Sequence, residues 1–285
     1  MDGKPKLTRP SEVRAWIERQ QFLPSKVLGQ NFLIDENILK IMIDSAEIAP
    51  DDVILEVGPG LGILTEPLAE RAKKVVAIEK DKRLASYLAE SLIDHENIRL
   101  ITADALSLSL EAVKHEHGVN KLVANLPYSV GSRVLVDCFM MVEGLDLLVV
   151  TVQLEVGERL AAGVNSEHYG MLSIWAQMDY KVKLAKRISP SCFYPRPQVT
   201  SAIVILKRTG NHRAQLKNPG VFDTLLRHAF SRRRKQMGTI LTGFTVPGMT
   251  RSATQALDKA GVEPTRRPET LSVLEWSALT SALID

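Results

Sequence analysis

Asn125-Leu126-Pro127-Tyr128 is the segment whose residue types suit one particular reaction. The exocyclic amine of adenine is a poor nucleophile because its lone pair is delocalised into the ring. A side-chain carbonyl from Asn125 and the backbone carbonyl of Pro127 could each accept one amine hydrogen and aim that lone pair at an incoming methyl group. Proline has no N–H, so its neighbourhood presents acceptors. Tyr128 could stack on a base turned out of its helix. Without other motifs, the same four residues would describe a proline-bearing loop with a half-buried tyrosine.

Other motifs are present, and they suit a nucleoside ligand. Glu56-Val57-Gly58-Pro59-Gly60-Leu61-Gly62 follows an apolar run and opens a helix-like stretch. Glycines at Gly58 and Gly60 belong where a chain turns sharply and a ligand approaches the backbone. Glu79 lies 21 residues after Gly58, where a doubly wound fold presents a carboxylate to ribose hydroxyls. Asp104, in Thr102-Ala103-Asp104-Ala105-Leu106, is placed to accept a hydrogen bond from an adenine amine. Each acid alone would pass for a solvated turn residue; three turn motifs in order, each at a strand end, would not. A nicotinamide-dependent dehydrogenase accounts for Gly58–Gly62 and Glu79 but leaves residues 125–128 without a task.

These motifs need buried strands to carry them. Val53–Val57, Val75–Ile78, Leu122–Ala124 and Leu147–Val152 are short apolar runs, each ending in a turn signal, and they predict parallel strands covered on both faces. Amphipathic stretches at Ile63–Arg71 and Arg83–Ile93 predict helices between them. The alternation implies an α/β, Rossmann-like domain. Tyr180–Ile188 and Ser201–Lys207 read as a closing antiparallel pair joined through the proline-rich loop 189–200. After Lys207 the pattern changes. Gly210, Asn211, Asn218, Pro219 and Gly220 suggest a linker, and helix-like segments follow at Val221–Phe230, Arg233–Leu241, Ser252–Lys259 and Leu274–Ile284. The expected organisation is an N-terminal extension plus α/β domain over residues 1–208 and a small helical domain over 209–285.

The charge is divided along the chain. Residues 1–180 hold 18 Lys/Arg and 27 Asp/Glu, a net of −9, whereas residues 181–285 hold 18 and 6, a net of +12. An imbalance this large points to a polyanion docking on the basic part, with Arg232, Arg233, Arg234 and Lys235 as the densest run. Apolar residues make up 45 % of the chain, enough for a proper core. Cys138 and Cys192 fit neither a disulfide framework nor a zinc site, so a reducing cytoplasm and no metal are expected. No apolar run reaches the roughly 18–20 residues of a membrane span, and no apolar stretch follows Lys4, Lys6 and Arg9 to make a signal peptide.

From about Lys26 to its end, the chain resembles the ribosomal RNA adenine dimethyltransferase family, most of all its bacterial small-subunit branch. The resemblance rests on Gly29-Gln30-Asn31-Phe32-Leu33, the Glu56–Gly62 loop, Glu79, Asp104 and Asn125–Tyr128. It continues through Phe193-Tyr194-Pro195-Arg196-Pro197 with Val199 and Ser201, and Ala229-Phe230-Ser231 with the basic run after it. It implies S-adenosylmethionine as cofactor, with Asn31 and Leu33 at its methionine end, Gly58 and Gly60 against it, Glu79 on its ribose and Asp104 on its adenine. Asn125 would stand between cofactor and substrate, and Tyr128 and Phe193 would sandwich the target base. The implied activity is N6,N6-dimethylation of adjacent adenines in 16S rRNA of an immature small subunit, by direct displacement at the sulfonium methyl and by a monomeric protein. Two alternatives stay open: a large-subunit (23S) rRNA adenine methyltransferase, and a non-catalytic RNA-binding factor of the same fold.

Overall fold

A computed structural model describes residues 10–25 and 28–284 of the chain. Lys4, Lys6, Arg9 and Lys26 lie outside the described residues. The first elements are α1 (Pro10–Arg19), β1 (Phe32–Leu33), α2 (Glu36–Ser45), β2 (Val53–Val57), α3 (Thr65–Ala69), β3 (Lys74–Glu79), α4 (Lys82–Ser91) and β4 (Ile98–Thr102). They are followed by α5 (Leu110–His117), β5 (Lys121–Asn125), α6 (Gly131–Met140), β6 (Leu147–Gln153), α7 (Leu154–Ala161) and α8 (Met171–Asp179). The chain ends with β7 (Tyr180–Ile188), β8 (Phe193–Tyr194), β9 (Ser201–Arg208), α9 (Pro219–Phe230), α10 (Met237–Leu241), α11 (Ala253–Lys259) and α12 (Val273–Ile284).

Seven strands form one sheet in the order β4-β3-β2-β5-β6-β9-β7. The first five are parallel and β9 runs antiparallel to β6. Every residue of β2 is buried, as expected of a strand covered by helices on both faces. The chain progresses outward from β2 in one direction through β3 and β4, then returns to β5 on the other side. The connections after β2 and β5 therefore diverge and leave a crevice at the carboxyl ends of these strands. This switch point is where both the glycine-rich turn and the Asn125 loop begin.

A second sheet of two strands, not visible in the sequence pattern, pairs Phe32 with Tyr194 and Leu33 with Phe193. The N-terminal segment ahead of it builds its own apolar cluster. Val13, Trp16 and Phe22 bury against Phe32, Leu61 and Leu84, and Arg83 holds the carbonyls of Gln20 and Gln21 at 3.1 Å each. The extension thus packs on the residues that follow the glycine-rich turn.

Two compact units divide the chain, and the boundary differs from the expected one. The first comprises residues 1–141, 145–157 and 183–208; the second comprises 142–144, 158–182 and 209–285. Residues 158–182 belong with the C-terminal helices because their side chains are satisfied there. Tyr169 donates to the Leu271 carbonyl at 2.9 Å and the Trp175 indole to Asp223 at 2.9 Å. In the same unit, Gly210 and Asn211 lie outside any helix, whereas Asn218, Pro219 and Gly220, expected in the same linker, begin one: Asn218 caps α9 through the Val221 N–H at 3.1 Å, with Pro219 in the first turn. Arg232–Lys235 forms a turn between α9 and α10, not the start of a helix.

Candidate active site

A cavity of about 200 Å³ opens at the switch point, lined by the Gly29–Leu33 segment, the glycine-rich turn, Glu79, Asp104 and the Asn125 loop. It lies wholly within the first unit. The structure brings Asn31, Leu33, Gly58, Gly60, Glu79, Asp104, Asn125, Pro127 and Tyr128 to this one cavity.

Its floor is the turn after β2. Gly58 has φ of 73°, a conformation that favours glycine. A Cβ there would stand 2.7 Å from Cγ of Pro127. Gly60, at φ of 59°, donates its N–H to Glu79 Oε2 at 3.2 Å, and Asp81 donates its own to Oε1 at 2.8 Å. Glu79 is thereby aimed by backbone, with a lone pair left on each oxygen for ligand hydroxyls. Burial pushes its carboxyl above the ordinary carboxylate range, against the pull of these N–H donors. Asp104 sits at a more open position. It accepts from Lys80 Nζ at 2.7 Å and from the Leu106 N–H at 3.0 Å; Lys80 above all holds its carboxyl below the usual value.

Glu56, which opens the glycine-rich motif, belongs to the same cavity, and its state was not foreseen. It is 1 % exposed, and its Oε2 has no hydrogen-bond partner. Burial, with the nearby Glu79 carboxylate, pushes it up to about 8. The Glu79 carboxylate held by backbone N–H groups, the Asp104 carboxylate beyond it and a glycine-rich turn that leaves room for the loop suit a nucleoside cofactor such as S-adenosylmethionine. The folded chain keeps a proton on Glu56 that the unfolded chain releases above its ordinary value of 4.5. Stability should therefore fall as pH rises between these two values. Glu56→Gln is expected to melt higher than wild type near pH 8 and no higher near pH 5, measured without cofactor. An equal gain at both pH values would contradict a neutral Glu56.

The wall opposite is the Asn125 loop. Asn125 donates its Nδ2 to the Asn31 carbonyl at 3.1 Å, and its Oδ1 accepts from the Thr151 hydroxyl. Tyr128, half-buried, shares a hydrogen bond between its hydroxyl and that of Ser201. Two expectations need correction. The Pro127 carbonyl, expected to accept from a substrate amine, accepts instead from the N–H groups of Val130 at 3.1 Å and Gly131 at 2.9 Å, which uses both lone pairs at the start of α6. The Leu126 carbonyl, one residue earlier, receives no N–H from the described residues. Phe193 does not line the cavity. It is 2 % exposed and closed into the core with Leu33, Ile38 and Ile188, so it backs the cavity wall and offers no free ring face.

Of the basic run in the second unit, Arg232, Arg234 and Lys235 are exposed. Arg233 is committed to the protein: it donates to the carbonyls of Glu167 at 2.9 Å and Ser166 at 3.2 Å, and its Nε lies 3.7 Å from Glu269.

A parallel sheet with its ligand crevice at the switch point, an acid after β3 held by the glycine-rich turn, and an Asn-Leu-Pro-Tyr loop after β5 define an S-adenosylmethionine-dependent methyltransferase of Rossmann-like fold. The chain matches the model of the ribosomal RNA adenine dimethylase family over residues 22–279. It is 38 % identical over 267 residues to a Clostridium perfringens protein named Ribosomal RNA small subunit methyltransferase A, covering 94 % of this chain and 93 % of that one. A protein of the same name from Alkaliphilus metalliredigens is 36 % identical over 96 % of this chain and 97 % of its own. Among solved structures, a dimethyladenosine transferase from Plasmodium falciparum superposes with a TM-score of 0.75 at 26 % identity, covering 87 % of this chain and 95 % of that one. The 23S rRNA methyltransferase ErmE superposes with a TM-score of 0.65 at 25 % identity, covering 89 % and 99 %. The chain belongs to the ribosomal RNA adenine dimethylase family.

Proposed function

We propose that this protein dimethylates N6 of adjacent adenines in the small-subunit (16S) rRNA, acting as a monomer on an immature small subunit in the cytoplasm. The observation that carries the reading is the Asn125–Tyr128 loop, fixed at the end of β5 on the edge of the cofactor cavity. When bound, S-adenosylmethionine supplies an electrophilic methyl on a sulfonium centre. Asn125 Oδ1 retains one lone pair beyond its bond from Thr151, and the Leu126 carbonyl retains both. Together they accept the two hydrogens of the target amine and turn its lone pair toward the cofactor. Catalysis then rests on orientation, and the proton released from nitrogen passes to water. Tyr128 offers the exposed part of its ring for stacking. Glu79 binds the cofactor's ribose and Asp104 its adenine, while Asn31 and Leu33 border its methionine end.

The small subunit is favoured over the large one by the names of the more similar relatives and by the positive charge after residue 180. The test is methyl incorporation into small-subunit particles lacking the modification against incorporation into naked 23S rRNA. The reading predicts methylation of the first alone; methylation of the second alone would replace it with the large-subunit activity. No helix among the described residues is long and apolar enough to cross a membrane.

RNA affinity is expected to fall steeply with salt. Changing Arg232, Arg234 and Lys235 together to Ala should flatten the slope of log affinity against log salt by about 2–3 units, since three fewer counterions are released. Arg233→Ala should instead lower the melting temperature, because its donors hold backbone carbonyls of its own unit. An unchanged slope in the triple variant would make the run a solvated turn.

A further inference from the structure

The orientation of Asn125 depends on a residue outside its loop. Thr151 lies opposite Asn125 in the parallel ladder of β5 and β6, and its side chain is fully buried. Its neighbours along β6 are Leu147, Leu148, Val149, Val150 and Val152. Valine would fill the same volume in that strand with equal β-propensity, and a buried hydroxyl is costly unless it is hydrogen-bonded. The Thr151 hydroxyl has such a bond, to Asn125 Oδ1.

This bond decides which end of the Asn125 amide faces which way. The Asn31 carbonyl can only accept, so the atom 3.1 Å from it must be Nδ2. Oδ1 then points to Thr151 on one side and keeps a single lone pair for another donor. Without the hydroxyl, only the contact with Asn31 opposes rotation of the amide. Rotation would present N–H groups to an amine that needs acceptors.

We propose that Thr151 is a positioning residue for methyl transfer, whose hydroxyl locks the Asn125 amide with its oxygen toward the target amine. This rests on the reading that Asn125 aligns that amine. Removing the hydroxyl should cost the rate equivalent of one neutral hydrogen bond at the upper end of its range, about tenfold.

The experiment compares Thr151→Val, Thr151→Ser and Asn125→Ala with wild type in single-turnover methylation of a small-subunit particle at saturating cofactor. Cofactor affinity is measured alongside by calorimetry. Thr151→Val is expected to be about tenfold slower with cofactor affinity within about twofold of wild type, so that the loss lies in the rate and not in binding. Thr151→Ser should recover most of the rate, because it restores the hydroxyl without the methyl. A wild-type rate in Thr151→Val, or a Thr151→Ser variant as slow as Thr151→Val, would overturn the proposal. A lost cofactor affinity in Thr151→Val would do the same. If Asn125→Ala is inactive while Thr151→Val is normal, only the role of Thr151 fails; if Asn125→Ala is itself active, the reading of the site fails with it.

Discussion

Asn125→Ala is expected to suppress methyl transfer by roughly 10²–10³-fold, the loss that follows removal of one preorganised polar group at a reacting centre. The side chain is half-buried at the end of β5, and its truncation removes no core packing. The fold should therefore survive, with a melting temperature lowered somewhat because the buried Thr151 hydroxyl loses its acceptor. Cofactor affinity should fall modestly, because the Asn31 carbonyl at the cavity wall loses its donor. The decisive quantity is the single-turnover rate at saturating cofactor, where an interaction made only in the transition state appears in the rate. A variant that keeps most of the wild-type rate would turn the account toward a non-catalytic RNA-binding factor.

Gly58→Ala should have the second largest effect, through the cofactor. Its φ of 73° penalises any side chain, by roughly 1–2 kcal/mol. Its Cβ would also stand 2.7 Å from Cγ and 2.9 Å from Cδ of Pro127. Proline cannot move its ring aside, so the Asn125 loop must shift as a whole, and Asn125 and Tyr128 shift with it. Cofactor affinity and turnover should both drop by more than tenfold. Gly118 supplies the control. It has the same φ of 73° at the end of α5, but a Cβ there would meet nothing within 4 Å. Gly118→Ala should lower stability by about 1 kcal/mol and leave binding and turnover unchanged. Equal losses in both variants would mean that backbone strain alone, and not contact with the loop, explains Gly58.

The apolar runs 53–57, 75–78, 122–124 and 147–152 all became strands of the central sheet, because a strand covered on both faces shows itself as an uninterrupted apolar run. Glu79, spaced 21 residues from Gly58, reached the cavity for the same reason: one strand and one helix separate the two turns. Other features are settled only by distant partners. The cluster of Trp16 and Phe22 needs Leu61 and Leu84 from the far side of the turn, and residues 158–182 find their partners in the C-terminal helices. Phe193 reads equally as a stacking ring or a core residue until β8 pairs with β1 and encloses it. The chemistry of proline suggests an acceptor role for Pro127, but helix α6, starting four residues later, takes that carbonyl. Thr151 could have drawn notice as the single hydroxyl among the apolar residues of its strand, but its partner is visible only through the register of β5 and β6.

Nucleoside analysis of the product tests the central claim most directly. Purified protein is incubated with S-adenosylmethionine and small-subunit particles lacking the modification, the rRNA is digested and its nucleosides are resolved by mass spectrometry. The account predicts N6,N6-dimethyladenosine from the wild-type protein and, at the same early time point, roughly a hundredfold less or lower still from Asn125→Ala. An unmodified rRNA, a methyl group on any atom other than adenine N6, or equal product from the two proteins would contradict it.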